Sequence, residues 1–125
     1  MVLLDTHVLL WLLFDDGMLS PTAIEAMKNN ACCISMASFW ELSIKISLGK
    51  LSLPKSLDEI AEACESMGIK VCDITLEDCL ILQELPWIHR DPFDRIIISH
   101  AVAESIPLIS CDGNIQRYSG LEVIW

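Results

Sequence analysis

The sequence predicts an α/β fold in which a parallel sheet is covered on both faces by helices. Two observations carry this expectation. Short apolar runs recur at Val2–Asp5, Cys32–Ser35, Lys70–Asp73, Pro107–Ser110 and Glu122–Trp125, and the segments between them show helical periodicity or helix-capping signals. Strands separated by helices require right-handed crossovers, which place strands parallel and bury both sheet faces. At 125 residues the chain fits one domain, residues 1–125, with a core of ordinary size.

Each element has a local reason. Val2–Asp5 is continuous apolar sequence ending in an acid, and Thr6–Phe14 follows as an apolar helix. Ser20-Pro21 supplies a cap and first-turn pair for a second helix through about Asn29. After the Cys32–Ser35 strand, Ser38–Leu48 sets Phe39, Leu42 and Ile46 on one helical stripe, with Ser38 and Glu41 as an S-x-x-E capping box and Gly49 as the stop.

Ser56–Met67 opens with a second S-x-x-E, carries Leu57, Ile60, Ala61 and Cys64 at helical spacing, and ends at Gly68. Lys70–Asp73 is the third strand, and Thr75–Leu85 begins a helix with Thr75-x-x-Asp78. In Pro92–Ala103 the run Ile96-Ile97-Ile98 favours a strand, but the Asp91-Pro92 start and the length favour a helix, which is the expectation here.

Composition narrows the function classes. Hydrophobic residues make up 53% and charged residues 21%, which excludes a disordered chain. The opening MVLLDTHVLLWLLF has no basic residue before Lys28, holds Asp5 and His7, and is too short to span a bilayer, so neither a signal peptide nor a membrane anchor is expected. The six cysteines form no C-x-x-C pair and have no His at ligand spacing. They read as small hydrophobes in a reducing, cytoplasmic compartment.

The net charge of −10 runs against simple phosphate binding by excess Lys and Arg. It fits a solubilising surface, a carboxylate site that a metal neutralises, or a protein that pairs with a basic partner. The strand-end rule then selects acids, because ligands of parallel sheets bind beyond the carboxyl ends of strands. Asp5, Glu41, Asp94 and Asp112 all follow strands or sit near the start of the next helix.

Each acid also has a local explanation: Asp5 as a helix cap, Glu41 in its capping box, Asp94 at the dipole end of a helix capped by Asp91, and Asp112 in an Asp-Gly turn. Together they are harder to explain away. Clustered carboxylates raise one another's pKa and lose hydration, and no run of Lys or Arg is placed to compensate, whereas Mg²⁺ or Mn²⁺ suits such oxygen ligands.

Four segments in order, LLDTHVLLW (Leu3–Trp11), SFWELSIKISLGKL (Ser38–Leu51), HRDPFDRIIISHA (His89–Ala101) and LISCDGNIQRY (Leu108–Tyr118), resemble the PIN-domain nucleases, specifically the VapC-like toxins of prokaryotic toxin–antitoxin pairs. The resemblance covers essentially the whole chain. It implies a three-layer α/β/α sandwich around a five-stranded parallel sheet, RNA cleavage, a cognate antitoxin and a homodimer. It also carries the acidic quartet onto Asp5, Glu41, Asp94 and Asp112, both as metal ligands and as catalytic groups, with Thr6 and Ser110 as neighbouring hydroxyls.

Arg90, Arg95, Lys45 and Lys50 flank the acids as candidate phosphate contacts, with surface solvation as the competing role. His89 and His100 read as packed rather than catalytic. Trp11, Trp40 and Trp87, set among Leu and Ile, read as core rather than as base-stacking surfaces. The rival classes are a phosphoacceptor domain using Asp73, which would need a Lys after the last strand that the sequence to Trp125 does not show, a non-catalytic interaction module, and a DNA-directed relative.

Overall fold

In the computed structural model, which describes residues 1–125, the five apolar runs become strands β1 (Val2–Leu4), β2 (Cys32–Ser35), β3 (Lys70–Cys72), β4 (Leu108–Ile109) and β5 (Val123–Ile124). They form one sheet in the order β3-β2-β1-β4-β5, and every neighbouring pair is parallel. Chain order therefore runs outward from β1 in one direction to β3, then restarts on its other side at β4. The reversal lies between β1 and β4, where parallel sheets open a crevice.

Alternation along the strands divides the core. Val2 and Leu4 of β1, Ile34 of β2 and Ile109 of β4 face one layer, and Leu3, Cys33 and Leu108 face the other. On the first face lie α1 (Thr6–Phe14), α2 (Pro21–Asn29) and α4 (Leu57–Ser66), through Val8, Leu9, Ala23, Ile60 and Cys64. On the second lie α5 (Leu76–Glu84) and α6 (Pro92–Glu104), while α3 (Met36–Ser47) gives Ala37 to that side and Phe39 to the other. The expected three-layer arrangement is thus present.

Local capping sets the helix starts. Ser20 accepts from the Ala23 amide, and Ser56 with Glu59 and Thr75 with Asp78 form complete capping boxes. Asp91 accepts from the amides of Phe93 and Asp94 with Pro92 in the first turn, which settles α6 as a helix. Its β-branched run costs a few tenths of a kcal/mol per residue in helix propensity. Ile96, Ile97 and Ile98 are all buried, and each such burial is worth roughly 1.5–3 kcal/mol, so packing decides.

One capping expectation fails. Helix α3 starts at Met36, two residues before Ser38, because Ser35 is its cap and accepts from the Ala37 amide. Ser38 is therefore inside the helix, where its hydroxyl shares a 2.8 Å hydrogen bond with that of Thr6, and Glu41 is too far along to reach the cap. The structural explanation for Glu41 disappears with the capping box.

Candidate metal centre

Four acids converge on the carboxyl edge of the sheet around the β1/β4 crevice, each delivered by a different piece of chain. Asp5 directly follows β1, and its amide bonds the Ile109 carbonyl of β4 at 3.0 Å. It stands in the cap position of α1 yet makes no side-chain cap hydrogen bond. Instead Oδ2 accepts from the buried Ser110 hydroxyl at 2.7 Å, and Oδ1 is buried with no partner.

Glu41 enters from the second turn of α3, 2% exposed, with Oε2 bonded to Lys45 Nζ at 2.6 Å and Oε1 buried without a partner. Asp94 comes from the first turn of α6 and places Oδ2 3.0 Å from His89 Nε2. Asp112 follows β4: Oδ1 accepts from the Asn114 amide at 2.8 Å, fixing the turn, while Oδ2 accepts from His89 Nε2 at 3.0 Å. Ser110 links the two strands' contributions, since its oxygen also accepts from the Asp112 amide at 3.1 Å.

Electrostatics separates the acids. Asp94 is pushed up to about 7, first by burial and then by the negative charges of Asp5 and Asp91, with His89 opposing and Glu41 adding a smaller upward push. Burial also raises Asp5, against the Ser110 hydrogen bond and nearby His7. Burial alone would raise Asp112, but the His89 hydrogen bond and the Asn114 and Ile115 amides outweigh it and hold it below the usual carboxylate range. Lys45 is raised by its hydrogen bond to Glu41.

Ligand atoms of His89, Asp94 and Asp112 lie within 4.8 Å of one another. Asp5 and Glu41 stand outside that tight group and couple to Asp94 through their charge. A divalent cation fits this arrangement: Asp5 Oδ1 and Glu41 Oε1 are buried without donors, each a cost of about 1–3 kcal/mol, and the four acids offer hard oxygen ligands. A cavity of about 720 Å³ lies elsewhere, lined by Leu12, Leu19, Ile24, Met27 and Ile69 among others. No group of acids converges there, so chemistry rather than volume selects the crevice.

Several sequence expectations change. Arg95 is 3% exposed and donates to the carbonyls of Leu82, Leu85, Pro86 and His89, so it braces the loop before α6 instead of offering a phosphate contact. Lys45 is committed to Glu41, which leaves Arg90 and Lys50 exposed. Asp91 acts as the α6 cap. Trp40 and Trp87 are not core: they are 55% and 76% exposed, Trp40 edge-on to Phe93 at 5.1 Å and Trp87 over the Arg95 guanidinium at 3.9 Å.

His100 is packed as expected, bonding Asp78 at 3.0 Å. His89, read from the sequence as packed rather than catalytic, places Nε2 3.0 Å from both Asp94 Oδ2 and Asp112 Oδ2.

A family model described as the PIN domain matches residues 2–121. No curated protein matches the chain. Among solved structures, VapBC2 from Rickettsia felis bound to a promoter DNA fragment is similar with a TM-score of 0.73 at 18% identity, covering 98% of this chain and 96% of that one. DNA-bound VapBC from Salmonella typhimurium gives 0.65 at 18% identity, covering 98% and 95%, and FitAcB from Neisseria gonorrhoeae 0.64 at 16%, covering 98% and 96%. These likenesses show the same fold.

Proposed function

Because the chain belongs to the PIN-domain family, whose members are generally nucleases, we propose that it is a Mg²⁺- or Mn²⁺-dependent endoribonuclease acting as the toxin of a toxin–antitoxin pair. The observation that carries this reading is the pair of buried, donorless oxygens on Asp5 and Glu41 beside Asp94, whose carboxyl sits at about 7. Asp5, Glu41, Asp94 and Asp112 are the residues assigned to hold the metal. When bound, a divalent ion supplies a reactive water at neutral pH and offsets charge developing on the phosphate.

The chain's own groups prepare that chemistry. Ser110 orients Asp5 and leaves Oδ1 buried without a partner, and Lys45 takes one oxygen of Glu41 while leaving the other free. Positive charge is sparse here, with Arg95 and Lys45 both committed, so binding of single-stranded RNA relies on the metal and on stacking. Trp40, exposed and edge-on to Phe93, is assigned to receive an unstacked base, the two rings directly preceding Glu41 and Asp94 in sequence.

The solved relatives are toxin–antitoxin complexes, two of them bound to DNA, which supports an antitoxin as this chain's partner. The surplus of negative charge, −10, favours a partner with a basic docking segment, and the same family likeness favours a homodimer in the cytoplasm. No helix is long and apolar enough to cross a membrane.

The test is cleavage of matched single-stranded RNA and DNA by purified protein in Mg²⁺ or Mn²⁺, repeated with EDTA and with Asp5→Asn and Asp94→Asn. Metal-dependent RNA cleavage lost in both variants is expected. Cleavage that survives EDTA, or full activity in both variants, refutes the reading, and a preference for DNA moves the substrate class.

A further inference from the structure

The loop between α5 and α6 is held with more hydrogen bonds than a simple connection needs. The Arg95 guanidinium reaches four of its surrounding carbonyls, including that of His89 at 3.2 Å. The His89 amide donates to Tyr118 Oη at 2.9 Å, and that hydroxyl donates to the Pro86 carbonyl at 2.9 Å. Arg95 and Tyr118 are both buried, so the backbone at His89 is fixed from two sides.

The imidazole is fixed as well. Nδ1 accepts from the Asp91 amide at 3.2 Å, so its lone pair is used and the ring proton of the neutral form belongs on Nε2. A histidine that ligates metal ordinarily donates from its other nitrogen. Here the other nitrogen accepts, and Nε2 is left as a donor. It lies 3.0 Å from Asp112 Oδ2, to which it donates, and 3.0 Å from Asp94 Oδ2.

We propose that His89 is a positioning residue of the metal centre, whose Nε2–H, aimed by the Asp91 amide, donates to Asp112 and sets that carboxylate beside Asp94, so that a cation meets ligands already gathered. The inference rests on the metal-centre reading above. Without that donor, two acids from α6 and from the turn after β4 face each other with only repulsion between them, and drawing them together must come out of the metal's binding energy. The donorless oxygen of Asp5 is an independent sign that a cation belongs in the same crevice.

The experiment measures Mn²⁺ binding to the full chain by calorimetry and by loss of the free-Mn²⁺ EPR signal, at one fixed pH, for the wild type and for His89→Ala, His89→Phe and His89→Gln. Gln restores an N–H at similar reach, whereas Phe restores only the ring's volume. Alanine and phenylalanine should weaken Mn²⁺ binding about 10- to 100-fold, the usual effect of losing a partner that orients metal ligands, and Gln should recover most of it. Circular dichroism in EDTA checks folding, and Phe carries the test if Ala does not fold.

Unchanged or tighter binding in the Ala and Phe variants overturns the role of His89; tighter binding would make the imidazole a competitor for the cation's place. A Gln variant as weak as Phe also overturns it. No Mn²⁺ binding by the wild type removes the metal-nuclease reading and this inference with it.

Discussion

Replacing Asp94 by Asn should stabilise the metal-free protein while abolishing its activity. The unfolded chain releases the Asp94 proton near the ordinary 3.8, whereas the folded chain holds it to about 7. Between those values the folded state binds more proton, so stability falls as pH rises through the window, and above about 7 the whole penalty is present. Three units at about 1.4 kcal/mol each set a ceiling of about 4 kcal/mol.

The crevice can admit water and counter-ions, and Asn gives up the charged contact with His89. The expected gain at pH 8 in EDTA is therefore about 1–2 kcal/mol, shrinking to less than half at pH 5, where Asp94 is already largely protonated in the folded state. Urea unfolding followed by tryptophan fluorescence reads this directly. In excess Mn²⁺ the order should reverse, because only the wild type gains stability from binding. A folded Asn variant no more stable than wild type at pH 8 in EDTA, or a difference that ignores pH, refutes the reasoning.

Three further outcomes are expected. Ser110→Ala removes the hydroxyl that bonds Asp5 at 2.7 Å and accepts from Asp112, so thermal melting should show a loss of about 1–3 kcal/mol together with weaker Mn²⁺ binding. Trp40→Ala should leave the fold intact, since the ring is 55% exposed, and raise KM for RNA roughly 5- to 100-fold in steady-state assays if a base stacks there. Arg95→Ala strips donors from four carbonyls and from Tyr118 in a buried site, and should destabilise by about 3 kcal/mol or more in chemical denaturation.

The sequence by itself determined whatever a window of a few residues can encode. Strand and helix positions follow from apolar runs and periodicity, with ends shifted by a residue or two. The caps at Ser20, Ser56, Thr75 and Asp91 were legible because donor and acceptor lie within three residues of each other. The four acids were legible as residues near strand ends, and the ordered motifs around them carried the family.

Only the tertiary structure decided what depends on distant chain meeting. The strand order placing β4 against β1 brings Ser110 to Asp5 across 105 positions, and no local pattern contains that bond. It removed the capping explanation for Asp5, which stands at the cap of α1 but gives an oxygen to Ser110 instead, and for Glu41, whose helix begins at Met36, too early for the carboxylate to reach the cap. It turned Arg95 inward, because carbonyls from the end of α5 and the loop after it converge on it, and turned Trp40 and Trp87 outward. It also seated His89 between Asp94 and Asp112, a contact fixed by the long-range hydrogen bond to Tyr118 as much as by the nearer ones to Arg95 and Asp91.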